Sequence, residues 1–261
     1  MFEERALDGE VDRVRERHAP DAVVLDCQRD FETLDPAVAE DLLLLTEDLD
    51  PLSYPDGWVP ADAPEELHRF AGSDFTVGMP GDGGVAWTRQ TDPAVVLVKP
   101  RLAGSPDDFV DFLIAEALVQ VGLDLPEHFL GFFADRYPDF SRAVAGRLNP
   151  ADTYQLAAAV FDAYVGLHSR EVFADWDGDL PRLFDAWHDA GERLEPRLGD
   201  LSQEIALGQT DFAAAAELAC SAIKHAVEPP APFAALDTSA YREYGAEYAL
   251  RWAEKTLDAS D

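Results

Sequence analysis

The segment FTVGMPGDGGVAWTRQTDPAVVLVK, residues 75–99, decides the fold. Phe75 to Met79 and Val85 to Arg89 are short runs rich in β-branched and aromatic residues, separated by Pro80-Gly81-Asp82-Gly83-Gly84. Two such runs around a Gly-rich turn predict a β-hairpin. Thr91-Asp92-Pro93 makes a second turn, and Ala94 to Lys99 reads as a third strand. The expectation is a three-stranded antiparallel meander at about 75–99. The apolar run Ala22 to Cys27 is a candidate extra strand.

Working outward, the chain becomes helical. Residues 3–17 read as a polar helix. Asp35 and Pro36 supply a cap and a first-turn proline for a helix running to Asp48. Pro51, Pro55, Gly57 and Pro60 enforce a loop, and a short helix follows from Pro64 to Ala71. After residue 105 nearly everything has helical spacing. Residues 105–123 open with Ser105-Pro106-Asp107-Asp108 and stop at Gly122. Residues 126–147 hold two short helices broken at Pro138. Residues 150–173 carry Leu156, Val160, Tyr164 and Leu167 on one face, and helices follow at 180–197, 210–227 and 238–257. There is no Gly/Ser linker and no internal repeat. We therefore expect one α+β domain over residues 1–261, mostly helical, with a small antiparallel meander packed on helices. Residues 1–104 would be its mixed part and 105–261 its helical part.

Composition bounds the environment. The chain has 52 acidic and 20 basic residues, a formal net charge of -32. Only Lys99, Lys224 and Lys255 are lysines. So acidic a chain repels itself in ordinary buffer. At 1 M salt the Debye length falls to about 3 Å and most of that repulsion is masked. Such a surface suits a halophilic cytoplasm. Hydrophobic residues make up 47% of the chain, enough to build a core and too many for an acidic disordered protein. No basic patch offers a surface to duplex DNA or anionic lipid, so direct nucleic-acid binding and membrane attachment are disfavoured. The start of the chain lacks the charged and apolar blocks of a secretory signal, and no run is apolar enough to span a bilayer. Cys27 and Cys220 read as buried small apolar residues, not as a disulfide framework.

The chemical motifs are few. Residues 79–84 join two strands and lack a following Lys-Ser or Lys-Thr, so they read as a hairpin turn, not a phosphate loop. Asp175, Asp177 and Asp179 alternate as at the start of a calcium loop. Gly178 and Ala186 then stand where that loop needs other residues. The plainer expectation is a turn in which Asp179 caps the helix around Pro181. The histidines, His18, His68, His128, His168, His188 and His225, form no pair at three or four residues, so no metal ligand set and no cofactor is expected. There is no Gly-x-Ser-x-Gly elbow. Neither cysteine has a neighbouring cation to lower its pKa.

Two constellations remain. On the helix after the sheet, Glu116 and Gln120 are one turn apart among Phe112, Leu113, Ile114, Leu118 and Val119. If Asp108 and Asp111 face water, Glu116 and Gln120 face inward, and a buried carboxylate needs a partner. Arg101, His128 and Arg136 are the candidates. Glu116, Gln120 and His128 thus form the candidate buried polar site. On the last helix, Tyr241, Tyr244, Tyr248 and Trp252 form one stripe, either core or a docking surface.

The helix of Glu116, with the strands before it, resembles the core of zincin metalloproteases, where a meander leads into His-Glu-x-x-His-x-x-Gly. Glu116 and Gly122 fall at the motif's Glu and Gly. Ala115 and Val119 replace both zinc-binding histidines, and His128 is six residues past Gly122. The resemblance implies a non-catalytic relative, because zinc cannot be held without those ligands. Nearly end to end, the chain is similar to an uncharacterised haloarchaeal protein family, a domain of unknown function. Residues 75–84 and 126–133 carry that likeness. It implies no activity.

The functional expectation is a non-enzymatic binding or interaction protein, using the groove between the meander and the 105–123 helix. An enzyme, such as a metal-assisted hydrolase around Glu116 and His128, would need at least two of Glu116, His128, His168 and Asp175 in one pocket. An obligate oligomer would be built through the aromatic stripe.

Overall fold

The computed structural model describes residues 2–7, 9–34, 38, 41–72, 75–79, 81 and 83–258. The strands are β1 (Phe2–Glu4), β2 (Val23–Cys27), β3 (Asp48–Leu49), β4 (Val85–Thr88), β5 (Thr91–Asp92) and β6 (Val95–Val98). The helices are α1 (Gly9–His18), α2 (Glu65–Ala71), α3 (Asp107–Gly122), α4 (Phe129–Phe133), α5 (Tyr137–Val144), α6 (Pro150–Ala174), α7 (Pro181–Leu198), α8 (Leu201–Ala206), α9 (Phe212–Ile223) and α10 (Ser239–Asp258). The fold is α+β and mostly helical, as the sequence indicates. The chain divides into two compact units. One holds residues 1–53, 69–127 and 175–187; the other holds 54–68, 128–174 and 188–261.

The first unit contains the sheet, in the order β1-β2-β6-β4. β6 reads Val-Val-Leu-Val and is buried along its whole length. A strand apolar at every position has both faces covered, which suits the interior of a sheet. It pairs in parallel with β2, Val23 opposite Val95, and antiparallel with β4, Val85 opposite Val98. β1 adds an antiparallel edge on β2, and the Arg5 guanidinium reaches Asp26 across it at 2.7 Å. One face is packed by Leu25, Cys27, Leu34, Leu42, Val77, Val95 and Leu97. α3 packs against α1, β4 and β6.

The sheet is mixed, where the sequence suggested an antiparallel meander. Phe75–Met79 is not a strand. Gly78 stands at φ +79°, which breaks an extended run, and among the described residues the segment accepts one backbone–backbone bond, from Leu34 N–H to Val77 O. β4 finds its partner in β6 instead. Pro80 and Asp82 of the expected turn lie outside the described residues. The N-terminal helix is shorter than expected, because Phe2–Glu4 is drawn into the sheet as β1 and α1 starts only at Gly9. Of the helix expected from Asp35 to Asp48, residues 35–37, 39 and 40 lie outside the described residues; its far part is not α-helical, Leu43–Leu45 being a 3-10 turn and Asp48 already part of β3.

Residues 175–187 are tied to α1 and α3 by charge. Trp176, 0% exposed, meets Phe112 edge-on at 6.4 Å. Asp179 accepts from Arg13 at 3.3 Å and Arg17 at 3.1 Å. It therefore does not cap α7 as expected. Glu10 does so from another helix, accepting from the backbone N–H of Arg182 and of Leu183. A carboxylate there answers both the orphan amides and the positive helix end. The Arg182 side chain in turn binds Asp108 at 2.9 Å and Asp111 at 2.5 Å, residues expected to face water.

The second unit is all helical. α6 packs along α9, whose Ala213, Ala215, Ala216, Ala219 and Ala222 are buried and let the two backbones approach. Phe129, Phe133, Tyr137 and Phe140 form a continuous ring cluster. Pro138 does not break a helix; it lies in the first turn of α5, where a missing N–H costs nothing. The break is at Ala134, φ 51° and ψ −132°. α10 bends at Gly245, whose φ is 47°.

Candidate functional site

In the first unit, polar side chains join β4 to the end of α3. Trp87 Nε1 donates to Gln120 Oε1 at 2.7 Å, and Gln120 Nε2 donates to Glu116 Oε1 at 3.3 Å. Glu116 is 6% exposed, so it does face inward, and Gln120 is a partner for it. Arg101, one of the partners considered, is engaged by Asp30 and Glu32 instead. The strand and helix are thus held in direct contact where a groove was expected. Gly122, the other residue of the zincin likeness, sits against the His18 carbonyl of α1. Both residues of that likeness serve packing here.

Arg89 continues the junction. Its guanidinium donates to Leu123 O at 3.0 Å and to Leu125 O, and stands 5.5 Å over the Trp87 ring. Glu127 accepts from the Arg89 backbone N–H at 2.8 Å and from Gln90 Nε2 at 2.9 Å. Burial pushes its carboxyl pKa up, and its bonds from Arg89, Gln90 and Thr88 oppose that rise. Sequence reasoning passed over Glu127. The one available signal was a carboxylate set between Pro126 and an apolar run.

His128 begins the second segment of the second unit. Its Nδ1 accepts from Leu130 N–H at 3.1 Å, which makes it the N-cap of α4. That bond requires the tautomer protonated at Nε2. Burial pushes the imidazole pKa down to about 3. A folded pKa below the unfolded value of about 6.5 means that acid favours the unfolded chain. The stability His128 contributes is present above pH 6.5 and drains away as pH falls toward 3. By pH 5 the loss is roughly 2 kcal/mol. His128→Asn keeps a capping side chain and removes the titration. Urea midpoints at pH 7 and pH 5 should therefore converge in the variant relative to wild type. Equal pH sensitivity in both proteins would exclude His128 as the titrating group.

Other candidates take structural parts. Asp175 and Asp177 are exposed, and Asp179 is committed to two arginines, so the three do not converge on a cation. His168 packs edge-on against Tyr164 at 4.7 Å, and burial lowers its pKa. Both cysteines are free and buried. Burial pushes the Cys27 thiol up to about 12 and raises that of Cys220 as well, so neither is a thiolate near neutrality. On α7, ligand atoms of His188, Asp189 and Glu192 lie within 4.8 Å of one another, all on exposed side chains.

The aromatic stripe of α10 divides. Tyr241 is 0% exposed and donates to Val160 O at 2.6 Å, so it belongs to the core. Tyr244 and Tyr248, with Trp252 at the bottom, line a groove of about 750 Å³. Pro232 and Ala235 form part of the lining, and they fix two of the rings. Trp252 Nε1 donates to Pro232 O at 3.1 Å, and Tyr248 Oη donates to Ala235 O at 3.0 Å. Phe212 and Phe233 back the Trp252 ring at 6.4 and 6.1 Å. Tyr244 is 53% exposed. Arg251 and Lys255, one turn apart, complete the lining with Ala240 and Thr256. No carboxylate is among these residues.

No helix among the described residues is long and apolar enough to cross a membrane. No curated protein and no solved structure matches the chain. A family model does match, over residues 1–260 of the 261, and on that match the chain belongs to the Family of unknown function (DUF7089).

Proposed function

We propose that this is a non-enzymatic binding protein of a halophilic cytoplasm, and that the groove along α10 is its recognition surface. The lining of that groove carries the reading. Asp and Glu make up 52 of 261 residues, one in five, yet none of the nine lining residues is acidic and two are cations. Its volume lies within the roughly 300–1,000 Å³ typical of small-molecule sites. Two of its rings are locked by hydrogen bonds to backbone, so little order is lost when a ligand arrives.

The enzymatic alternative draws less support. Glu116 is bonded by Gln120, and the Nδ1 of His128 caps a helix. The oligomeric alternative loses much of its surface, because Tyr241 and Trp252 are already buried within one unit. What remains of the stripe is the rings of Tyr244 and Tyr248, where a stable interface buries roughly 1,200–2,000 Å². Light scattering in molar KCl should accordingly return the monomer mass, 28.7 kDa.

A ligand-observed fragment screen in molar KCl tests the groove. Hits should bind wild type and be lost in Tyr244→Ala, whose exposed ring is absent from the folded core. A hit set indifferent to that substitution would remove the groove from consideration.

A further inference from the structure

We infer that the groove takes a small planar anion: a flat aromatic ring carrying one phosphate or carboxylate. The inference rests on the groove being a binding site and names what enters it. Its first ground is the division of the lining. Tyr244, Tyr248 and Trp252 supply ring surface, and Arg251 and Lys255 follow on the same helical stripe, at i+3 and i+7 from Tyr248. An aromatic wall beside a pair of cations complements a ligand that is flat at one end and negative at the other.

The second ground is what the chain withholds from this place. Only three residues of the 261 are lysines, and one of them is here. With Arg251, it makes a cationic rim on a protein of net charge -32. Glu247, one turn back along α10, pairs with Arg251 at 2.7 Å. Glu247 itself does not line the groove.

Salt narrows the ligand further. Beyond about 3 Å, attraction between charges is masked at 1 M salt. Long-range steering of a large polyanion is thus of little use to this protein. An anionic group must touch the cation, and the remaining affinity must come from ring contact, which salt does not screen. The hydroxyl of Tyr248 and the indole N–H of Trp252 are spent on backbone carbonyls, so those rings offer their faces and edges, not hydrogen bonds.

The test titrates the full chain in molar KCl with four probes and reads tryptophan fluorescence and ligand NMR. AMP and indole-3-acetate carry the phosphate and the carboxylate; adenosine and indole are their neutral counterparts. Both anions should saturate, and each should bind about tenfold more tightly than its neutral counterpart, the worth of one charged hydrogen bond. Lys255→Glu should remove that advantage and leave the neutral probes within about twofold. Tyr244→Ala should weaken all four. The tighter of AMP and indole-3-acetate then identifies phosphate or carboxylate as the natural group. Neutral probes that bind as well as anions, or anion affinity unmoved by Lys255→Glu, would overturn the inference. Loss of neutral-probe binding in Tyr244→Ala would still uphold the groove. No probe responding to Tyr244→Ala would sink both. A wild-type dimer that Tyr244→Ala converts to monomer would give the groove to a second copy and overturn the planar anion.

Discussion

Dialysed from molar KCl into 10 mM buffer, the protein should lose its helical circular-dichroism signal, and it should recover the signal when salt returns. The formal charge of -32 makes this a large effect. At about 0.01 M salt the Debye length is about 30 Å, so charges interact across a whole molecule. A pair at a typical separation of ~30 Å then costs roughly 0.05 kcal/mol in water. Net charges of this number form about five hundred pairs, so the compact state carries repulsion on the order of 20 kcal/mol. The unfolded chain spreads the same charges and carries less. The difference rivals the whole stability of a domain, about 5–15 kcal/mol. At 1 M salt, with a Debye length of about 3 Å, the same pairs contribute almost nothing.

Local ion pairs do not rescue the fold in dilute buffer. Those of Arg13, Arg17, Arg142 and Arg251 are close to half exposed or more, and such pairs contribute under about 1 kcal/mol each. We expect the loss to be one transition over all 261 residues. The chain passes between its two compact units five times, so neither is a continuous stretch. Neutralising exposed acids, as in Asp175→Asn, Asp177→Asn, Glu195→Gln and Asp200→Asn together, should move the salt midpoint downward. A melting temperature that is the same in 10 mM buffer and in molar KCl would end the halophilic interpretation.

Periodic patterns were legible in the sequence; pairings between distant residues were not. α3, α6, α7 and α10 announce themselves by apolar spacing, and their ends fall close to where caps and glycines put them. β6 is visible as Val95-Val96-Leu97-Val98, and its unbroken apolar run is the sign of an inner strand. Local pattern cannot say which strands flank it. The parallel partner β2 lies some 70 residues upstream, and the nearer Phe75–Met79 looked better than it is, because only the backbone reveals Gly78 at positive φ. The cap of α7 shows the same limit. Asp179 has the right spacing, but the orphan amides take Glu10, 172 residues away, because Arg13 and Arg17 have drawn Asp179 off.

The site was half legible for the same reason. Helical spacing collects Tyr241, Tyr244, Tyr248 and Trp252 on one stripe without separating core from groove. That separation comes from outside the helix. Val160 O takes Tyr241 inward, while Pro232 and Ala235 hold Trp252 and Tyr248 as the walls of an opening. Glu116 is buried and Gln120 half-buried. Their tie to β4, Trp87, could not be named without knowing that β4 crosses α3 there.

Gly122→Leu should cost about 3–4 kcal/mol and Gly122→Ala about 2, because the end of α3 touches the end of α1 through bare backbone. A Cβ added at Gly122 would stand 2.3 Å from the His18 carbonyl oxygen and 3.0 Å from its carbonyl carbon. Neither atom can swing aside as a side chain would. α1 must retreat, and with it Val11 and Val14, which are buried against this part of the core, and Glu10, which caps α7. Alanine and leucine both recover up to about 1 kcal/mol of helix propensity, so alanine's smaller net cost comes from adding one carbon at the contact where leucine adds four. Gly146 is the control: nothing lies within 4 Å of a Cβ there, so Gly146→Ala should stay within about 0.5 kcal/mol. The measurement is the urea midpoint in molar KCl, since guanidinium chloride would itself change the ionic strength on which the fold depends. Matching midpoints for Gly122→Ala and Gly146→Ala would mean that α1 does not rest on the end of α3. The glycine there would then be merely a helix terminator, and the close approach of the two helices would have no part in stability.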